Sequence, residues 1–203
     1  VDVRADETKG LQDDDVLGSA VAFDAKTVAS LFAGLAGTGD DPDVADNPIG
    51  YARSGSSLVT PTGGSGGSDG TDSTDYSLKV SAPGVDSGVA TTEGTEIFLY
   101  KEGDLIVGRV GTEGTPDTAN PAGTIAFAIA IDPDSGEVFT AQYLSLHHPD
   151  APSNFDETLS LADGAVQVTV TITDGDGDQA SASDNIGGQM RAVESRLQGL
   201  EER

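Results

Sequence analysis

The sequence predicts an all-β fold, a Greek-key β-sandwich with long acidic loops and a short C-terminal helix. Three observations predict it. Residues 165–173 read Ala-Val-Gln-Val-Thr-Val-Thr-Ile-Thr, the two-residue alternation of a strand with one buried face. Further runs of this kind are short and separated by clusters of Gly, Pro, Asp and Ser, the punctuation of antiparallel strands in a sandwich. The chain has 203 residues and no cysteine, so a core, with bound ions if any, must replace disulfides.

The elements follow in order. Asp6 to Val16 is acidic and poor in apolar residues, and Lys26 to Phe32 is a short apolar element, helix or strand. Gly37 to Asp43 is a loop by composition, and Ile49 to Ala52 a brief strand. Pro61 to Thr74 is dominated by Gly, Ser, Thr and Asp, which reads as a flexible insertion or long hairpin loop over 61–75. Tyr76 to Val80 alternates. Glu96–Lys101 and Leu105–Val110 flank Glu102-Gly103-Asp104 and form a hairpin. Thr124 to Ile131 alternates large with small, as an interior strand does, and Asp132 to Gly136 is a turn. Strands follow at Glu137–Leu146, Thr158–Leu161, Ala165–Thr173 and Gln179–Ile186. Met190, Val193, Leu197 and Leu200 are spaced three, four and three with charges between, an amphipathic helical pattern. The expected organisation is a sandwich over 1–188 and a helical tail over 189–203. The tail is too short to be stable alone; packing on the sandwich, self-association, and a remnant of a neighbouring segment all fit it.

Thirty-five acidic against ten basic residues leave a net charge of −25. No basic surface is available to displace counterions, so nucleic acid is excluded as a partner, and an anionic membrane for the same reason. A compact chain of this charge repels itself, which divalent cations would relieve; solubility or salt tolerance is the plainer explanation of the same charge. No stretch is long or apolar enough to insert in a membrane. The residues from Val1 to Asp6 lack the basic start and apolar run of a secretory signal. The expectation is a cytosolic chain, a piece of a larger one, or export without an N-terminal signal.

The strand ending in Thr173 runs into Asp174-Gly175-Asp176-Gly177-Asp178. Glycines let the backbone turn tightly enough for the carboxylates to converge, and hard oxygen ligands crowded on one loop suit Ca²⁺. An EF-hand fails, because Gln179 and Asn185 stand where that loop needs Gly and Glu. A polar Asp-Gly hairpin turn is the plain alternative. Asp6 and Glu7 are added as candidate metal ligands, since the first strand of a sandwich begins near the loops of one end. Asp13, Asp14 and Asp15 read as solvated charge, and Asp132 and Asp134 as turn formers around Pro133. His147 and His148 are the only histidines. Adjacent residues of an extended segment face opposite ways, which argues against a shared zinc ion. The Gly63–Asp69 stretch lacks the spacing and setting of a phosphate loop, and no serine-nucleophile motif stands between strand and helix.

Several stretches together resemble one family. They are Asp6-Glu7-Thr8 with Gly10-Leu11-Gln12, Ile49-Gly50-Tyr51-Ala52, Tyr76-Ser77-Leu78, Gly84 to Val89, Thr91-Thr92-Glu93-Gly94, Ile106 to Val110, Phe127-Ala128-Ile129, Gln142 to Pro149, and Val168 to Asp178. Their order and spacing resemble the large tandem repeat domain of giant type I-secreted, RTX-type bacterial surface adhesins, over roughly residues 1–188. The resemblance implies an Ig/cadherin-like, calcium-dependent, extracellular and non-catalytic repeat at the bacterial cell surface, acting in adhesion and biofilm formation. Such repeats usually continue into an acidic linker where this chain has Gln189 to Arg203.

The expected function is therefore a calcium-stabilised spacer or adhesive module, without catalysis. Its expected partners are neighbouring repeats or identical subunits, with host or matrix glycans as further candidates. A self-assembling filament or surface-layer subunit is one alternative. A carbohydrate-binding module using residues 61–74 with Tyr51 or Tyr76 is another, weakened by 5% aromatic content and no Trp.

Overall fold

The computed structural model describes residues 3–6, 22–23, 26–42, 47–60, 70–149 and 158–193. Its elements are β1 (Val3–Asp6), β2 (Ala22–Phe23), β3 (Lys26–Thr27), α1 (Val28–Phe32), β4 (Gly50–Ser57), β5 (Thr71–Val80) and β6 (Val85–Ala90). They continue with β7 (Glu96–Glu102), β8 (Leu105–Val110), β9 (Ile125–Ile131), β10 (Glu137–Gln142), β11 (Thr158–Ser160), β12 (Val166–Asp174), β13 (Gln179–Asn185) and β14 (Met190–Val193). A 3-10 turn at Gly187–Gln189 precedes β14.

A six-stranded sheet, ordered β4-β10-β9-β8-β7-β6, forms one layer. Two three-stranded sheets, β13-β12-β5 and β1-β14-β11, supply the other, and β2 pairs with β3. Pairing within the sheets is antiparallel apart from β1 against β14. Strands β6 to β10 follow one another as a meander, whereas β4 beside β10 and β5 beside β12 are long-range pairings. The expected all-β sandwich is what the chain forms.

The main core lies between the layers. Ile97, Leu99, Ile106, Ile129 and Val138 of the large sheet meet Leu78, Val80, Val166, Val168, Val170 and Met190 of the smaller ones. A second cluster covers the other face of the large sheet, where Val28 and Phe32 of α1 pack on Val107, Ala128, Ala130, Phe139 and Ala141. Val28 and Phe32 are four residues apart and so share one face of the short helix. The large-and-small alternation of β9 now has a cause. Phe127, Ile129 and Ile131 fill the wide space between layers, while Ala128 and Ala130 let α1 lie close. Ala126 joins Phe127 in the main core because the β8–β9 register shifts between Gly108 and Arg109.

The Lys26–Phe32 element is both things the sequence allowed, a two-residue strand and a helical turn. Two expectations are corrected. Thr71 to Asp75 do not belong to a flexible loop but to β5, paired with β12 from Thr71 opposite Asp174 onward; residues 61–69 lie outside the described residues. Met190 to Val193 are not helical. They form β14, parallel to β1 and antiparallel to β11, and Met190 is buried in the main core. The remainder of the expected helix, 194–203, lies outside the described residues.

Gly108 faces Phe127 across the β8–β9 pair, and a Cβ there would lie 2.5 Å from the Phe127 ring. Gly108→Ala is therefore expected to destabilise by about 1–3 kcal/mol through overpacking. Urea unfolding should show a lower midpoint with an unchanged slope.

Candidate metal centre

The Asp174–Asp178 segment is the connection of the β12–β13 hairpin, whose last ladder pair is Thr173 with Gln179. The loop is closed by its own backbone. Asp174 N donates to Asp178 O at 3.0 Å, and Gly177 N donates to Asp174 O at 3.1 Å. Gly177 has φ 93°, a left-handed conformation that a side chain would strain. Asp174 Oδ1 accepts from Asp178 N at 2.8 Å and from Asp176 N at 3.3 Å. This carboxylate thus organises the turn through one oxygen, as Asp does when it hydrogen-bonds backbone ahead of it.

The loop geometry converges the side chains. One carboxylate oxygen from each of Asp174, Asp176 and Asp178 lies within 4.8 Å of the others. A hydrogen bond shared with the Asp176 side chain holds the Asp174 carboxyl below its usual range. Partial desolvation opposes this, and the N–H groups of Asp178, Asp176 and Gly177 reinforce it. Three monodentate carboxylates leave about three to five positions of a calcium shell to water. The donor set is all oxygen, without the imidazole or thiolate that zinc favours.

The structure brings together Asp174, Asp176 and Asp178. Asp6 ends β1, opposite Val193, in a different sheet from the hairpin. Glu7 lies outside the described residues, as do Asp13, Asp14 and Asp15. Asp132 forms the turn expected of it, its Oδ1 accepting from Asp134 N at 2.8 Å and Ser135 N at 3.2 Å. His148 is buried and His147 exposed, so the pair does face opposite ways.

One carboxylate with a defined role was not singled out in the sequence. Asp117 accepts from Glu96 N and Gly114 N, each at 2.8 Å, and those two bonds, Glu96 first, hold its carboxyl below the usual range against desolvation. It clasps the start of β7 to the 112–118 turn. The Pro116-Asp117 turn signal could have marked it, though not its partner 21 residues away. An open groove of about 870 Å³ runs past residues 38–42, 91–93 and 144–146. Its Asp40, Asp41 and Glu93 do not converge as the hairpin aspartates do; among the described residues, Asp174, Asp176 and Asp178 alone have metal-ligand separations.

A family described as a domain of unknown function, DUF5801, matches residues 2–187. The chain belongs to this family. No curated protein and no solved structure matches it. The match ends six residues before the last residue of β14, and so includes the whole β12–β13 hairpin with its aspartate loop.

Because the folded-state pKa of Asp174 lies below the unfolded one, the stability it contributes is present above about pH 3.9. That stability is lost as pH falls through the lowered folded value. A carboxyl-carbon titration should place the Asp174 midpoint below about 3.9. Wild type and Asp174→Asn should converge in melting temperature at more acidic pH.

Proposed function

We propose that this chain is a calcium-stabilised, extracellular repeat module of a bacterial surface or biofilm adhesin, acting as a spacer or adhesive unit without catalysis. The observation that carries the proposal is the convergence of Asp174, Asp176 and Asp178 on one exposed hairpin loop. Three carboxylates at that separation repel unless protonated or bridged, and a hard divalent cation bridges them at neutral pH. The net charge of −25 favours the same outcome. The order and spacing of motifs resembling RTX-type repeats supply the cellular setting, type I export and the bacterial cell surface. Neighbouring repeats or identical subunits are the proposed partners.

The two alternative readings draw less support. Assembly through a heptad tail loses its first two positions, since Met190 and Val193 lie in β14. For glycan stacking, Tyr51 already stacks on Phe32 at 6.1 Å and Tyr76 packs against the core.

Calcium is expected to raise the melting temperature. At about ten times Kd the gain is about 1.4 kcal/mol, or roughly 2–4 °C per kcal/mol for a domain of this size. Asp176→Ala should abolish most of this gain, whereas Asp134→Ala should preserve it, because Asp134 serves its turn through the backbone N–H. Differential scanning calorimetry in chelator and in calcium measures both. An equal gain from sodium chloride would indicate charge screening and overturn the site. Panels of glycan, peptide and ester substrates should show no turnover; turnover abolished by replacing one carboxylate in a folded variant would overturn the non-catalytic reading.

A further inference from the structure

β13 is an edge strand, and among the described residues no strand pairs with its outer side. Sheet edges are open templates for pairing, and proteins usually blunt them with charge, proline, bulges or short length. The other edges here are blunted. The ladders of β4 and β6 contain register shifts. β5 carries Asp72, Asp75 and Lys79 and a register shift. β1 and β11 have four and three residues. β13 differs from all of them. Its ladder with β12 is unbroken from Gln179 to Asn185, Gln179 to Ser183 contain neither charge nor proline, and Gln179 to Asp184 are exposed.

The register adds an apolar element. Ala180 and Ala182 lie opposite Ile172 and Val170 and share their face of the sheet. Val170 is buried in the sandwich core, yet both alanines are exposed. The apolar side of this sheet therefore overhangs the core by one strand. On the opposite face, Ser181 and Ser183 exchange hydroxyl bonds with Thr171 and Thr169, each at 2.8 Å. A strand added beside β13 would complete its ladder and cover the two alanines.

We propose that β13 is a strand-addition site for an extended polypeptide segment with small apolar residues at alternate positions and basic residues at its ends. Charge selects this occupant. Asp176 and Asp178 stand at the start of β13, and Asp184 and Asp163 at its end, where Asp163 accepts from the Asn185 amide. A second copy would bring the same acids, and another −25 of net charge, against this edge. A seven-residue ladder also falls short of the roughly 1,200–2,000 Å² that holds two folded proteins together. Strand addition of a peptide draws its affinity from main-chain hydrogen bonds and its specificity from alternate side chains.

The test uses the full chain in chelator, so that its outcome is independent of calcium binding. The probe is a fluorescently labelled synthetic peptide of alternating Val and Thr between paired Arg and Lys residues, followed by anisotropy. Saturable binding is expected at low salt. Ala182→Lys should weaken it roughly tenfold or more with an unchanged melting temperature, since the residue is exposed. Ala33→Lys, the same charge change at an exposed position beyond α1, should leave it nearly unchanged. Proline at alternate peptide positions should abolish binding. The proposal is overturned if the proline peptide binds equally well, if both lysine variants weaken binding alike, or if no binding occurs. It is also overturned if sedimentation shows self-association that Ala182→Lys disrupts while the peptide does not bind, which would assign the edge to a second copy.

Discussion

β9 is apolar at all seven positions, Ile-Ala-Phe-Ala-Ile-Ala-Ile, so both of its faces must be kept from water. That constraint organises the rest. One face needs a second sheet, and β5 and β12 provide it through Leu78, Val80, Val166, Val168 and Val170. The other needs a smaller cover, and one turn of helix suffices because Ala128 and Ala130 leave room for Val28 and Phe32. Burial of such side chains contributes about 25 cal/mol per Å². The same bulky residues set the limits of packing. Phe127 occupies the space a side chain at position 108 would need, so the glycine there is the counterpart of the large ring.

A chain with 35 acids has to keep them out of this core; among the described residues one acid, Asp132, is buried, and hydrogen bonds hold it. It opens the β9–β10 turn and satisfies two N–H groups there. Arg109, also buried, donates to Glu102 through Nε at 2.7 Å and Nη2 at 3.0 Å, and to Gly123 O through Nη1 at 2.6 Å. Among the described residues most other acids lie in turns and at strand ends. Three of them meet at the β12–β13 connection because the hairpin gives them a loop short enough to converge.

The parts legible in the sequence were those whose signal is local. Alternation marked β12, the Glu102-Gly103-Asp104 turn marked the β7–β8 hairpin, and Asp-Gly repeats marked the loop that, among the described residues, brings carboxylates together. Gly103 has φ 61° in a two-residue connection between Glu102 and Leu105, the turn chemistry a tight hairpin requires. What was not legible depended on partners far along the chain. The 190–193 segment has helical spacing, yet its backbone pairs with β1 and β11, and tertiary pairing overrode local pattern. Thr71 to Asp75 look like a polar loop because, opposite the hydroxyl-rich end of β12, they need little apolar content to extend the sheet. β6 was hidden by Gly88, at φ 80°, where the ladder with β7 shifts register. Position in the sheet order, which makes β13 an edge and Asp6 a member of a different sheet, has no local signature at all.

β12 and β13 show how one hairpin divides its residues between these demands. The lower half of β12 is core, with Val166, Val168 and Val170 buried. Toward the loop, Ile172 and Thr173 are only partly covered, and the ladder with β5 shifts between Thr173 and Asp174. The strand pair thus leaves the core before it turns. A loop carried beyond the core can place three carboxylates together without burying their charge, and the backbone donors at Asp174 hold it in shape. Ala180 and Ala182 are exposed for a different reason: β13 lies outside β12 in the sheet order, so Ala182 is open although its partner Val170 is buried. The open aspartate loop follows from the hairpin running beyond its buried half, and the open edge from the place of β13 at the margin of its sheet.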